Sequence, residues 1–182
     1  MNTGTKSLLF GVHQIFIHPV VVLIAWTKLY GWPNWKELVC IIIHDWGYWG
    51  KKNMDDEEGE SHPEWAAKAA HGLLDFPRLY TFTYFNLCLY HSRHYARNYG
   101  VEPSKLCWAD KLSILYEPWW FYLPRAWMSG ELTEYRKLAA KAAFISEEKT
   151  HREWYRWIQE KLSILAREKR GDAVPYANSK KN

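Results

Sequence analysis

The adjacent pair His44-Asp45 closes the most apolar run in the chain, Leu38-Val39-Cys40-Ile41-Ile42-Ile43. A carboxylate is costly to bury without a partner. Imidazole beside carboxylate is a good ligand pair for a divalent transition metal, so the pair points to a metal centre. The chain has eight histidines, and placement must decide which others matter. His18 opens the preceding apolar segment, His62 opens the following helix, and His91 lies in Leu89-Tyr90-His91-Ser92-Arg93-His94. Asp110, in Leu106-Cys107-Trp108-Ala109-Asp110-Lys111-Leu112, is a second carboxylate beside apolar residues. Each has a blander use. His62 suits a first-turn helix residue near Glu64, and His91 suits a satisfied core histidine. His13 just precedes His18, and His94 lies one helical turn beyond His91, so either could stand in for its neighbour as ligand or support it. His71 and His151 read as ordinary helix residues.

Metal coordination lowers the pKa of bound water, and two cations about 3.5–4 Å apart can clamp a phosphoryl group. Phosphate oxygens then need positive neighbours. Lys51 follows the His-Asp pair, Arg93 and Arg97 follow His91, and Lys111 follows Asp110. Each is an ordinary solvated cation when taken singly; as a group they favour a phosphate ester over a neutral substrate. In a continuous helix Arg93 would not share a face with His91, because i and i+2 point apart. Asp45, Lys51, Arg93 and Lys111 are the candidate catalytic residues. The segment Tyr116-Glu117-Pro118-Trp119-Trp120-Phe121-Tyr122 could wall a nucleobase, but it is better suited to core or to a homodimer contact.

The elements that must position these residues are helices, since no stretch alternates apolar and polar long enough for a sheet. One helix is predicted over 18–30, ended by Gly31 and Pro33; Asn34 caps the next, which ends around Asp45. Residues 46–60 read as a polar loop whose cluster Asp55-Asp56-Glu57-Glu58 is a solvated surface. Ser61 and Glu64 form a capping box for a helix reaching about Leu74. Pro77 fits the first turn of a long helix ending near Gly100. A further helix begins at Pro103 or Ser104 and carries Asp110. Two more fit 131–144 and 147–168, the second capped by Ser146. The fold class is all-α: one domain over 1–170 and a polar tail over 171–182.

In this order of residues the chain resembles the HD (His-Asp) superfamily of metal-dependent phosphohydrolases. His62-Pro63-Glu64-Trp65-Ala66-Ala67 resembles a His-Pro-Glu segment of its two-metal branches, and Trp108-Ala109-Asp110-Lys111-Leu112-Ser113 resembles the segment carrying the last ligand. The resemblance covers roughly 10–125. It implies a compact helical domain of HD type. It also implies a first metal on His18, His44, Asp45 and Asp110, and a second on His62 and His91 with Asp45 bridging. His18 fits the family's first ligand because it leads into Pro19-Val20-Val21-Val22. Tyr48 departs from the pattern. It stands where many members carry lysine, and where the nucleotidase-like single-metal branch carries glutamate.

The composition fits a soluble domain of ordinary size: 182 residues, 48% hydrophobic and 24% charged, enough to bury a core without disulfide staples. The net charge of +4 is dispersed, which argues against a dedicated nucleic-acid surface. Cys40, Cys88 and Cys107 form no disulfide or CxxC pattern, so they read as apolar core in a reducing, cytoplasmic setting. The apolar stretch 15–26 is too short for a membrane span, and the N-terminus lacks the pattern of a secretory signal. The expected function is hydrolysis of a small phosphate ester, with nucleotides among the candidates, by hydroxide activated on two divalent ions (Mn, Fe, Co, Ni or Zn). A di-iron oxygenase of the same fold, or a non-catalytic helical protein with a structural metal, would use the same ligands.

Overall fold

The structure, a computed structural model, describes residues 1–54, 56–75, 82–141, 145–146 and 148–169. The chain folds as an all-α domain, with no strand among the described residues. No described helix is long and apolar enough to cross a membrane.

Helix α1 (Thr3–Phe10) leads into α2 (His18–Tyr30), which ends at Gly31 with φ +82°, a conformation that favours glycine. Asn34 caps α3 (Trp35–Ile43): its side chain accepts from the backbone of Lys36 and Glu37 while Glu37 returns a bond to Asn34. His44 and Asp45 follow, then a single 3₁₀ turn, Trp46–Tyr48. The short α4 (Glu57–Glu60) runs almost directly into α5 (His62–Ala70), which continues as a π-helical turn over His71–Asp75. Then come α6 (Thr83–Leu89), α7 (Arg93–Asn98), α8 (Lys105–Ser113), a 3₁₀ turn (Ile114–Tyr116), α9 (Trp119–Ser129), α10 (Glu131–Lys141) and α11 (His151–Lys169).

Three apolar clusters hold the described helices, the smallest being Leu8, Tyr48 and Met54. The largest joins α2, α3, α5, α6 and α8 through Val22, Trp26, Ile41, Ala66, Cys88 and Leu106, among others. Small residues on α5 (Ala66, Ala67, Ala70) let neighbouring helices approach closely. The second cluster gathers Val12, Ile114, Tyr122, Leu123, Leu132, Trp154 and Tyr155 between α8, α9, α10 and α11. All three cysteines are free and buried, as expected for small apolar core residues.

Several expected boundaries differ. Ser61 does not cap α5. Its φ and ψ are already helical, its hydroxyl bonds to the Glu58 carbonyl and receives Lys51 Nζ, and the chain enters α5 from α4 instead. The expected long helix up to Gly100 breaks at Tyr90–Ser92, where Ser92 caps α7 by accepting from His94 N. The last helix starts at His151, not 147. Thr150 and Glu153 exchange the two bonds of a capping box there, and Ser146 sits in the turn ahead. Helix α1 had no counterpart in the sequence pattern. Asp55, Pro77, 142–144 and the tail from Gly171 lie outside the described residues.

The aromatic segment divides between surface and interior. Trp119 and Trp120 face solvent, Trp119 under the Arg152 guanidinium, while Tyr122 is buried in the second cluster. The buried Arg125 side chain binds the Glu117 carboxylate and the carbonyls of Phe121 and Gly11, tying α9 to the end of α1.

Candidate metal centre

The six expected ligands arrive from five places in the chain. His18 begins α2, His44 and Asp45 leave α3, His62 begins α5, His91 sits in the break between α6 and α7, and Asp110 lies on α8. They form two groups that could each hold a metal ion: His18, His44, Asp45 and Asp110, and Asp45, His62 and His91.

Asp45 belongs to both groups through different oxygens. Its Oδ2 lies 3.1 Å from His18 Nε2 and 3.1 Å from His44 Nε2. Its Oδ1 lies 3.4 Å from His91 Nε2 and 3.7 Å from His62 Nε2. Asp110 Oδ1 completes the first group, 3.1 Å from His18 Nε2 and 4.0 Å from His44 Nε2. Water barely reaches any of them: His44 is fully buried and His18, Asp45, His62 and His91 nearly so.

Local backbone geometry aims three of the rings. His44 Nδ1 bonds to the Ile41 carbonyl at 2.8 Å, His62 Nδ1 to Gly59 at 2.8 Å and His91 Nδ1 to Cys88 at 2.5 Å. Each carbonyl lies three residues back, near a helix end. Donation from Nδ1 leaves the Nε2 lone pair facing inward, the tautomer a metal ligand requires. Gly47 allows the loop to press onto α5, because a Cβ there would lie 2.0 Å from the His62 carbonyl oxygen. Tyr48 stacks on the His62 ring, with centroids 3.8 Å apart. Tyr48 thus covers one of the candidate ligands.

The protein alone pairs these groups by charge but leaves several of them without an aligned hydrogen bond. His18 Nδ1, His18 Nε2, His44 Nε2 and Asp45 Oδ2 are buried without a hydrogen-bond partner, which is costly unless a cation provides one. The Nε2 atoms of His62 and His91 face one another at 3.0 Å. Burial, and then His91 beside it, push the His62 pKa well below the usual imidazole range, so it is a neutral donor. Burial opposes ionisation of Asp45, but the His44, His13 and His18 rings around it hold its carboxyl well below the usual carboxylate range. For Asp110, burial is likewise outweighed by Lys111 and His18. Burial lowers the His18 pKa, but the carboxylates of Asp110 and Asp45 raise it further, to about 10. A cation seated there would displace the His18 proton, and imidazole nitrogens with ionised carboxylates are a donor set that fits divalent cations.

The two open choices resolve on geometry. His94 is exposed, and its Nε2 meets Asn98. His13 Nδ1 is engaged by Ser7 Oγ at 2.9 Å and Glu131 Oε1 at 2.8 Å, and its ring packs against His18 with centroids 5.1 Å apart. Glu131 is fully buried and accepts from Ser7 Oγ, Val12 N, His13 Nδ1 and Ser129 Oγ. Nothing in the sequence marked Glu131, which looks like a first-turn acid after Gly130. His71 and His151 are also apart from the centre: His71 stacks on Phe82 and His151 meets Arg136.

The candidate cations divide. Arg93 and Lys111 line a cavity of about 410 Å³ together with His18 and Asp110. Arg93 is the first residue of α7, directly after the break. Lys51 does not join them. Its Nζ donates to Ser61 Oγ at 2.7 Å, and it lines a separate cavity beside Trp46, Trp49 and Trp65. Arg97 is exposed and lines neither cavity.

No protein-family model matches the chain, and comparisons with curated proteins and with solved structures give no match.

Proposed function

We propose that the chain is a two-metal phosphohydrolase of the HD type, cleaving a small phosphate ester. The observation that carries this is the division of Asp45, with one oxygen toward His18 and His44 and the other toward His62 and His91. One carboxylate facing two histidine pairs is an arrangement that suits a two-cation centre. Divalent ions held there would supply activated water near neutral pH and a positive seat for a phosphoryl group. The chain's own residues have distinct tasks. His44, His62 and His91 present fixed Nε2 lone pairs, Asp45 and Asp110 balance positive charge, and Arg93 and Lys111 bind phosphate oxygens at the cavity. The two cations favour an anionic substrate, and so a phosphate ester over the neutral organic substrate of an oxygenase.

The test joins elemental analysis of the purified protein to a phosphatase screen with added manganese, cobalt and nickel. The expected result is about two metals per chain and metal-dependent turnover of at least one phosphate ester, with Arg93→Ala raising KM more than it lowers kcat. Two bound metals with no turnover on any phosphate ester would refute the proposal. Near-ultraviolet absorption of an oxo-bridged di-iron centre in aerobically purified protein would replace it with the oxygenase.

A further inference from the structure

Resting on the phosphohydrolase proposal, we infer that the substrate is an organic phosphate whose non-phosphate part is apolar, an aryl or alkyl group rather than a sugar or other polyol. The cavity beside the metal centre has two unlike ends. Its polar end is His18, Asp110, Arg93 and Lys111. The opposite wall is Ile114, Leu138, Trp154, Trp157, Ile158 and Leu162. Three of these, Trp157, Ile158 and Leu162, recur on the inner stripe of α11 at helical spacing and are only partly buried, while Leu138 on α10 is 43% exposed. The stripe therefore has apolar surface left over after packing α11 onto α8 and α9.

A volume of about 410 Å³ is in the range of pockets that enclose whole organic ligands. A phosphoryl group held by Arg93 and Lys111 would occupy a small part of it. The remainder is lined mainly by indoles and branched aliphatic chains, with Ser113, Tyr48, Tyr122 and Tyr135 as its hydroxyls, and His13 and Tyr135 there already meet Glu131. A polyol would exchange its water for few partners, whereas an apolar group needs none.

The test uses phosphonates, which bind without being hydrolysed, and titration calorimetry on the manganese-loaded full chain. The expected result is that 4-phenylbutylphosphonate binds about tenfold or more tightly than methylphosphonate, while 2,3-dihydroxypropylphosphonate gains nothing. Leu138→Asn, a neutral change at a half-open position, should reduce that gain severalfold and change methylphosphonate binding little. If that variant fails to fold by circular dichroism, Trp157→Ala takes its place, with a loss confined to the phenylbutyl ligand. Equal affinity for the three phosphonates, or a preference for the dihydroxypropyl one, overturns the inference. Binding of 4-phenylbutanol with no binding of any phosphonate would overturn the phosphohydrolase reading and leave the apolar wall standing as a ligand site.

Discussion

Replacing Asp45 with Asn keeps the shape of the side chain and removes one negative charge from the middle of the centre. Asp45 is 5% exposed, and its two oxygens lie 3.1–3.7 Å from four Nε2 atoms. A cation among those atoms would lie within roughly 4 Å of the carboxylate. At that distance a unit charge pair is worth roughly 4 kcal/mol at an effective dielectric of about 20. Losing it weakens each metal site about a thousandfold. At metal concentrations about a hundredfold above Kd, the parent gains roughly 2.7 kcal/mol per site. In a domain of this size that is a rise in Tm of roughly 5–10 °C per site. The variant should gain almost none of it. The assay is thermal melting with and without chelator, with metal content by elemental analysis and hydrolysis of a generic phosphate ester beside it. The expected variant folds, shows little chelator-dependent shift, and has lost most of its activity and at least one metal. Parental metal content together with a parental chelator shift would refute the assignment of Asp45 as the bridging ligand.

His62→Ala should halve the metal content and keep the first ion, whereas His94→Ala, whose ring meets Asn98 at the surface, should leave metal content unchanged; elemental analysis of the two proteins side by side checks both. Gly47→Ala should push α5 away from the loop, because the new methyl would lie 2.0 Å from the His62 carbonyl oxygen; a loss of roughly 1–3 kcal/mol in urea unfolding, with weaker binding of the second metal, is expected. Glu131→Gln turns one acceptor oxygen into a donor amid five donors, the Tyr135 hydroxyl included, and should cost roughly 3 kcal/mol, read as a fall in Tm of roughly 6–12 °C. Burial opposes ionisation of Glu131, but its bonds from His13, Ser129 and Ser7 lower its pKa in the folded state. Its contribution is therefore full above the ordinary glutamate range and is lost as pH falls through the lowered folded value. The gap in Tm between parent and variant should be wide near neutral pH and should close in acid; a gap that widens in acid would contradict the sign.

The buried His/Asp cluster was legible in the sequence because each of its members stands where local pattern makes it conspicuous. His44-Asp45 follows a run too apolar to tolerate an unpartnered carboxylate, His18 precedes a proline-led helix, and Asp110 interrupts an apolar helix face. Periodicity and punctuation likewise sufficed for α2, bounded by His18 and Gly31, and for the Asn34 cap of α3. What depended on contacts between distant segments was not legible. Ser7, His13, Ser129 and Glu131 form one buried network across more than a hundred residues of chain, and no local spacing announces it. The choice of His18 over His13, and of His91 over His94, was decided by what each ring meets in space. So was the exclusion of Lys51, whose nearness in sequence to Asp45 did not survive its bond to Ser61. Arg93, directly after the helix break at Tyr90–Ser92, lines the cavity, and α10 and α11 fold back to supply its apolar wall. Side-chain type and periodicity are encoded locally, so they indicate which residues can bind a metal; which of them meet, and what cavity they leave, follows from helix packing, which is a property of the whole chain.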